Sequence, residues 1–467
     1  MKPLLNPSFR KKGAPKRSSW ANLPSVSDLP DEVRAVIRKQ VWWQTTLLVI
    51  GFITVFAVLG ALFVGVGNTP DEMYSDAQIA PVSSPLFLAT LSHLVNAPVE
   101  QGGDITLLNN GDEFIPALLK AIGQAKYTIN FSVYIWRDGI FSKQVLDALV
   151  TKQKQGVKVR VLLDGFGSKE IPDSKFSDLK EAGGRVEKFR TPQFGKLTRF
   201  HRRNHRRAIV IDGRTGFTGG MAVGNEWLGH AQDPEHWRDM MFKVTGPAAR
   251  RLQAAFVSSW AGSSGEILGA SDTYPIAAET SGGEIEKFIH IVHSPAADHH
   301  SMANFFLTSI LAARNTLYIV TPYFIPDKHL ETALVKQARA GIDVRLLLPG
   351  KHIDASIARA SAQSNYEELL QAGVKIYEYR PTFIHSKFMV VDGRWSIIGS
   401  PNLNTRSRQL DDENAFGILD SHFAGQLVKS FMSDLEQANE IKLDEWRKRN
   451  VFVRFIQRAA RLLDNQS

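Results

Sequence analysis

The sequence predicts an α/β protein made of two duplicated halves related by a pseudo-two-fold axis, preceded by one transmembrane helix. Three observations predict this. Most of the chain repeats one order of elements twice, each copy alternates β-branched apolar runs with helical stretches, and one long uncharged apolar run lies near the N-terminus.

The 467 residues carry a formal net charge of +9 and 43% hydrophobic residues, enough for a large core, and no cysteine. Disulfides, thiolate nucleophiles and cysteine metal sites are therefore excluded. The basic balance points to an anionic partner: a phospholipid surface, a nucleic acid or a phosphorylated substrate.

Residues 1–40 are rich in Lys, Arg, Pro and Ser and read as a basic disordered tail, held near anionic headgroups by charge. No charge occurs from Val41 to Thr69, and a bilayer span needs ~20 apolar residues, so 41–67 reads as a transmembrane helix with Trp42 and Trp43 at the headgroup layer. Nine basic residues precede it (Lys2, Arg10, Lys11, Lys12, Lys16, Arg17, Arg34, Arg38 and Lys39), whereas Asp71, Glu72 and Asp76 follow closely. That asymmetry places the N-terminus in the cytoplasm and the remainder outside it. Residues 68–104 read as a linker with an interfacial or domain-docking element, since Pro81, Pro85, His93 and Pro98 interrupt its apolar stretch.

The duplication follows, with 105–265 as the first half and 266–440 as the second. AIGQAKYTINFSVYIW, QGVKVRVLLDGFGS, LKEAGGRVEKF and HRRAIVIDGRTGFTGG are matched by SILAARNTLYIVTPYFI, AGIDVRLLLPGKH, LLQAGVKIYEY and HSKFMVVDGRWSIIGS. Gly156 and Gly341 each precede a run of central-strand type. Two such halves can fuse their sheets into one domain, with a site drawing one set of groups from each.

Each copy ends on a histidine, a cation two residues on and an aspartate five further: His205, Arg207 and Asp212, then His385, Lys387 and Asp392. On a strand, residues two apart share a face, so each histidine and its cation point into one pocket while the aspartate falls on the other parity. The aspartates open Asp-Gly pairs, a hairpin signal, and are expected mainly to fix the turn. Fixed cations suit an anionic phosphodiester. One neutral imidazole can attack phosphorus while a second, protonated, supplies a proton to the leaving alkoxide. This chemistry needs no metal and no cofactor.

HSKFMVVDGRWSIIGSPNLNTRS resembles the second signature of the phospholipase D superfamily and HRRAIVIDGRTGFTGGMAVGNEW the first. With WRD at Trp237–Asp239 and the acidic run to Asn414, the chain resembles bacterial cardiolipin synthases over about residues 105–440. The resemblance implies a duplicated phospholipase D-like domain in the bacterial inner membrane. It implies a phosphatidyltransferase that converts phosphatidylglycerol to cardiolipin and glycerol, with His205 as nucleophile and His385 as acid. Spacing alone does not settle that order. Ser400 and Asn402 belong to the second signature's small-residue end, and Glu413 stands where the family has an acid able to orient an imidazole, with Asp239 in a comparable place. Two departures lie in the first half: Arg207 replaces a lysine, and Ala222 an asparagine.

Residues 441–467 close the chain with WRKRNVFVRFIQRAARLL, a basic amphipathic helix with Phe452, Phe455, Ile456, Ala459 and Leu463 opposite Arg454, Arg458 and Arg461. It either lies on an anionic bilayer or packs on the domain. The expected partners are an anionic phospholipid substrate and the membrane surface, with no nucleic acid; no signal for oligomeric state is visible. The alternatives are a phospholipase D or nuclease-type hydrolase, and a weakly active or inactive membrane scaffold.

Overall fold

The computed structural model describes residues 30–63, 79–189, 202–275, 283, 285–295, 300–450 and 457, with backbone alone for 57–63. The tail before Pro30, the end of the expected span and most of the expected C-terminal helix, including Phe452, Arg454, Phe455, Ile456, Arg458, Ala459, Arg461 and Leu463, lie outside these residues. The chain divides into two compact units, Met1–Met73 and Tyr74–Ser467.

In the first unit, helix α1 (Asp31–Phe63) starts ten residues before the uncharged run. It follows Pro30, and Asp31 and Glu32 occupy the first turn, where acidic groups suit the helix's positive end. Its described side chains from Val41 to Phe56 are uncharged and mostly exposed. Among the described residues no helix is long and apolar enough to cross a membrane. The rest of the expected 41–67 span lies beyond the described side chains.

The second unit opens with α2 (Pro85–Val95) and β1 (Val99–Glu100). The first half follows as β2 (Ile105–Asn109), α3 (Asn110–Gln124), β3 (Thr128–Val133), α4 (Ile140–Lys154), β4 (Lys158–Asp164), α5 (Ser177–Glu181), β5 (Arg185–Phe189), β6 (Ala208–Ile211), β7 (Thr215–Gly219), β8 (Met240–Thr245) and α6 (Gly246–Ser264). After the short α7 (Ala270–Thr273) comes the second half. It comprises β9 (Lys287–His293), α8 (Ser301–Leu311), β10 (Thr316–Val320), α9 (Lys328–Arg339), β11 (Asp343–Pro349), α10 (Ser356–Ser364), α11 (Tyr366–Ala372), β12 (Lys375–Tyr379), β13 (Phe388–Val391), β14 (Trp395–Gly399), α12 (Thr405–Gln409), β15 (Glu413–Leu419) and α13 (Ser421–Glu436). Strand β16 (Ala438–Ile441) and α14 (Leu443–Arg447) end the described elements, apart from Gln457.

The seven-stranded sheet runs β2-β8-β7-β6-β3-β4-β5, and the nine-stranded sheet contains β9-β15-β14-β13-β10-β11-β12, flanked by β1 and β16. The two orders are the same. In each, the β3-β4-β5 or β10-β11-β12 trio is parallel and the remaining pairings are antiparallel. Parallel strands need crossover helices, which α4, α5, α9 and α11 supply.

The expectation that the halves fuse their sheets is corrected: the two sheets stay separate and share a core. Helix α6 covers the inner face of the first sheet and reaches β9, while α13 covers the inner face of the second. One apolar cluster contains Val210, Phe242, Phe256, Phe288, Phe416 and Phe431, drawn from both sheets and both helices. Outer clusters lie under α3, α4 and α5 in the first half and under α2, α8, α9 and α11 in the second. The central strands are thus buried on both faces, which explains their continuous apolar runs: Val159, Val161 and Leu163 face outward and Leu162 inward. Helix α2 buries Phe87, Leu88, Leu91 and Val95, with Phe87 edge-on to Trp395 at 5.1 Å. This segment therefore docks on the second half while Leu86 and Leu94 remain exposed.

Candidate active site

Strand β6 is antiparallel to β3, and β13 to β10, so the segments before β6 and β13 stand at the carboxyl ends of the parallel strands, where open α/β sheets bind ligands. His205 and His385 each lie three residues before the following strand. Both segments reach across to the other half. The His205 N–H donates to the Asp412 carbonyl at 2.9 Å, and the Asp412 N–H to Arg203 at 2.7 Å. In the reciprocal position the His385 N–H donates to the Arg238 carbonyl at 2.7 Å, and the Arg238 N–H to Phe383 at 3.0 Å. Two small backbone bridges therefore lock the halves together beside the two imidazoles.

The carboxylates are exchanged between halves. His205 Nδ1 lies 2.8 Å from Glu413 Oε1, and His385 Nδ1 2.6 Å from Asp239 Oδ2. Glu413 and Asp239 are equivalent, since Gly219 pairs with Met241 and Gly399 with Ala415 in matching registers. Both acids are completely buried. Ser400 Oγ bonds the other oxygen of Glu413, whereas Asp239 Oδ2 also accepts from Trp227 Nε1 at 3.0 Å. The residue equivalent to Ser400 is Gly220, where a Cβ would lie 2.1 Å from Asp239 Oδ1. The shorter acid thus fills the room that Ser400 takes in the second half.

Each cation folds back on its own histidine. Arg207 Nη1 donates to the His205 carbonyl at 2.7 Å, and Lys387 Nζ to the His385 carbonyl at 2.7 Å. Lys387 Nζ is also 3.2 Å from both ring nitrogens of His385. Arg207 is fully buried, and its Nε and Nη2 have no hydrogen-bond partner within the described residues. Unpaired buried donors are costly, and a bound oxyanion would satisfy them.

Asp212 and Asp392 stand away from this cluster. They hold φ of 54° and 50°. The Asp212 carboxylate accepts backbone N–H groups of Lys126, Tyr127 and Thr128, each at 2.8 Å, and Asp392 those of Arg314, Asn315 and Thr316. Each aspartate ties the hairpin turn to the start of β3 or β10. Asn402 is buried, with its Oδ1 unpaired among the described residues and its N–H bonded to Ser407 Oγ at 3.1 Å.

Burial sets the electrostatics. Desolvation, then Arg207 and Lys387, pushes His205 well below the ordinary histidine range. Desolvation and Lys387 take His385 down to about 4, against the opposing pull of Asp239. Lys387 falls to about 7 and Glu413 rises to about 7, in both cases chiefly through burial. Without substrate both imidazoles are neutral near pH 7, the state a nitrogen nucleophile needs. Among the described residues no group of His, Asp and Glu is arranged to hold a metal.

A sequence profile described as "Cardiolipin synthase, PLD-like domain" matches residues 118–260 and 306–435. The chain is 37% identical to cardiolipin synthase 1 of Bacillus anthracis over 364 residues, covering 76% of this chain and 71% of that protein. It belongs to the cardiolipin synthase family. Cardiolipin synthase of Halalkalibacterium halodurans is 35% identical, with 80% and 75% covered. The fold is also that of phosphatidylserine synthase from Haemophilus influenzae, with a TM-score of 0.62 at 16% identity, covering 80% of this chain and 98% of that one.

Within the cardiolipin synthase family pattern, both departures have a structural setting. Arg207 keeps a cation on the site, and Ala222 packs in the outer apolar cluster with Met221, Val223 and Trp227. Sequence reasoning missed the exchange of carboxylates, because it depends on how the halves face each other. It also missed the rings around the imidazoles. Tyr134 lies 4.9 Å from His205, and Trp237, Phe383 and Trp227 lie 5.4, 5.5 and 5.9 Å from His385. The one signal was Trp237 and Phe383 standing two residues before Asp239 and His385.

Proposed function

We propose that this protein is a membrane phosphatidyltransferase that converts two phosphatidylglycerol molecules to cardiolipin and glycerol through a phosphohistidine. The observation that carries this reading is the pair of buried imidazoles, each held at Nδ1 by a carboxylate of the opposite half and each accompanied by a buried cation.

His205, with Nδ1 engaged by Glu413, attacks phosphorus through Nε2, and the phosphorus–oxygen bond to glycerol breaks. Protonated His385 passes its proton to the departing glycerol oxygen. Arg207 and Lys387 neutralise the non-bridging oxygens as charge develops. A hydroxyl of a second phosphatidylglycerol then attacks the phosphohistidine, gives its proton to His385 and releases His205. Burial and the neighbouring Lys387 hold His385 low, and the bound anion offsets the cation's share and so favours the protonated ring. Asp239 and Glu413 orient the rings, Ser400 supports Glu413, and Asp212 and Asp392 brace the strands that the histidine segments lead into. Asn402 supplies a buried amide near the phosphate.

The uncharged run of 41–67 tethers the enzyme as a single span of the bacterial inner membrane, with the basic N-terminus cytoplasmic and the catalytic unit on the other side. The expected partners are the anionic phospholipid and the bilayer surface.

The test is to incubate purified full-length protein with phosphatidylglycerol vesicles and to identify the products by mass spectrometry, with His385→Ala as control. Cardiolipin and glycerol, lost in the control, are expected. Phosphatidic acid alone would replace the transferase with a hydrolase, and neither lipid would reject both.

A further inference from the structure

The two imidazoles occupy pseudo-equivalent places, and each has a ring within reach, yet one matched pair of neighbours differs in chemistry between them. The reciprocal bridges make Arg238 equivalent to Asp412 and Ile384 to Asn204. It follows that Trp237 is equivalent to Asp411, and Phe383 to Arg203. Beside His385 this pair is apolar: the Trp237 and Phe383 rings meet edge to face at 4.9 Å, and each lies within 5.5 Å of the imidazole. Trp227 backs Trp237 at 5.1 Å, and Tyr323 stands 6.1 Å from Phe383. Beside His205 the same two places are polar. The Arg203 N–H donates to Asp411 Oδ1 at 3.2 Å, and Arg406 Nε pairs with Asp411 Oδ2 at 3.0 Å. Phe383 is fully buried, whereas Trp237 keeps part of its surface open to solvent and so forms the outer edge of the aromatic wall.

We propose that Trp237 and Phe383 are specificity-determining residues that set the partition of the phosphohistidine between an alcohol and water. The inference rests on the phosphatidyltransferase reading above. In the second step the acceptor oxygen must lie beside the imidazole that takes its proton, which is His385. A phosphorus–oxygen bond to the acceptor forms, the phosphorus–nitrogen bond to His205 breaks, and the acceptor proton moves to His385. When the acceptor is the hydroxyl of phosphatidylglycerol the product is cardiolipin; when it is water, phosphatidic acid. Ring faces and edges offer water few hydrogen-bond partners, so a wall of four rings excludes it from the attacking position. A lipid alcohol brings apolar glycerol and acyl atoms that pack against the same rings. The polar pair at the equivalent place beside His205 offers hydrogen-bond partners instead and takes no part in receiving the acceptor.

The experiment measures the ratio of phosphatidic acid to cardiolipin formed from phosphatidylglycerol vesicles by full-length wild type, Trp237→Ala, Trp237→Phe and Phe383→Leu. Water enriched in oxygen-18 marks the hydrolytic product. Trp237→Ala is expected to raise the ratio several-fold, Phe383→Leu to raise it less, and Trp237→Phe to return it toward wild type. The ratio is internal to each reaction, so a variant that merely folds less well lowers both lipids together. A parallel fall in both products with an unchanged ratio overturns the proposal. Absence of both lipids from the wild-type reaction overturns the transferase reading and this inference with it, an outcome distinct from the parallel fall.

Discussion

Lys387 and the two histidines are all buried, and burial sets their charges, which makes their protonation testable. In the free protein Lys387 lies at about 7, so kcat/KM is expected to fall as pH rises through that value and the cation is lost. Arginine keeps its charge far higher, so Lys387→Arg should move this alkaline limb upward even if it lowers the maximum; a pH–rate profile of both proteins checks it. The same shift acts on stability. The folded value lies below the unfolded 10.5, so the unfolded chain binds more protons across this window, and this residue's contribution to stability rises with pH from about 7 to 10.5. Glu413 runs the other way. Its folded value of about 7 lies above 4.5, and its contribution falls as pH rises between the two. The carboxylates matter to catalysis through the rings they hold. Glu413→Gln and Asp239→Asn are each expected to lower kcat ~100-fold, within the range of acid–base contributions, with little change in Tm.

At the scale of elements, the histidine-bearing segments lead into β6 and β13 and depend on the hairpin turns that follow those strands. Asp212 and Asp392 combine a left-handed backbone with a carboxylate that gathers three N–H groups at the start of the neighbouring strand. Asp392→Ala loses those bonds and places alanine at positive φ, and is expected to cost about 3 kcal/mol. Asn tolerates this backbone and keeps one acceptor oxygen, so Asp392→Asn should cost about 1 kcal/mol and retain activity per folded molecule. Urea unfolding monitored alongside turnover separates the two. The Asp-Gly turn was legible because the turn itself favours those residues. Its long-range role was not, since Lys126 and Arg314 lie 86 and 78 residues from their aspartates. The docking of α2 was one of two readings the sequence left open, interfacial or domain-docking, and Trp395 and α8 standing opposite it decide between them.

The whole molecule is held at the pseudo-two-fold by polar contacts as well as by the shared apolar core. Arg238 crosses from the first half to Asp434 in α13 at 3.0 Å, with Nη2 2.8 Å from Ser430 Oγ. Nη2 also donates to Asn109 and Nη1 to Asn110, and the Arg238 carbonyl accepts from the His385 N–H. Removing one partner strands a buried charge, so Asp434→Ala is expected to destabilise the catalytic unit by about 3–5 kcal/mol. Chemical unfolding is expected to show that loss as a lower midpoint, and turnover should fall with it because Arg238 also holds the His385 segment.

What the sequence by itself determined is local in origin. Alternating runs made the α/β order of both halves legible, the repeat showed their equivalence, and the spacing paired His205 with Arg207 and His385 with Lys387, although all four lie just before β6 or β13 rather than on the strand itself. Strand parity and turn chemistry act over a few residues, so they leave a readable pattern. Only the tertiary structure decided that the sheets stay separate around α6 and α13, and that Glu413 serves His205 while Asp239 serves His385. It also set Trp237 and Phe383 against the same imidazole, opposite in character to Asp411 and Arg203. The two carboxylate–histidine pairings join residues 208 and 146 positions apart, and no local preference encodes which half a buried carboxylate will face.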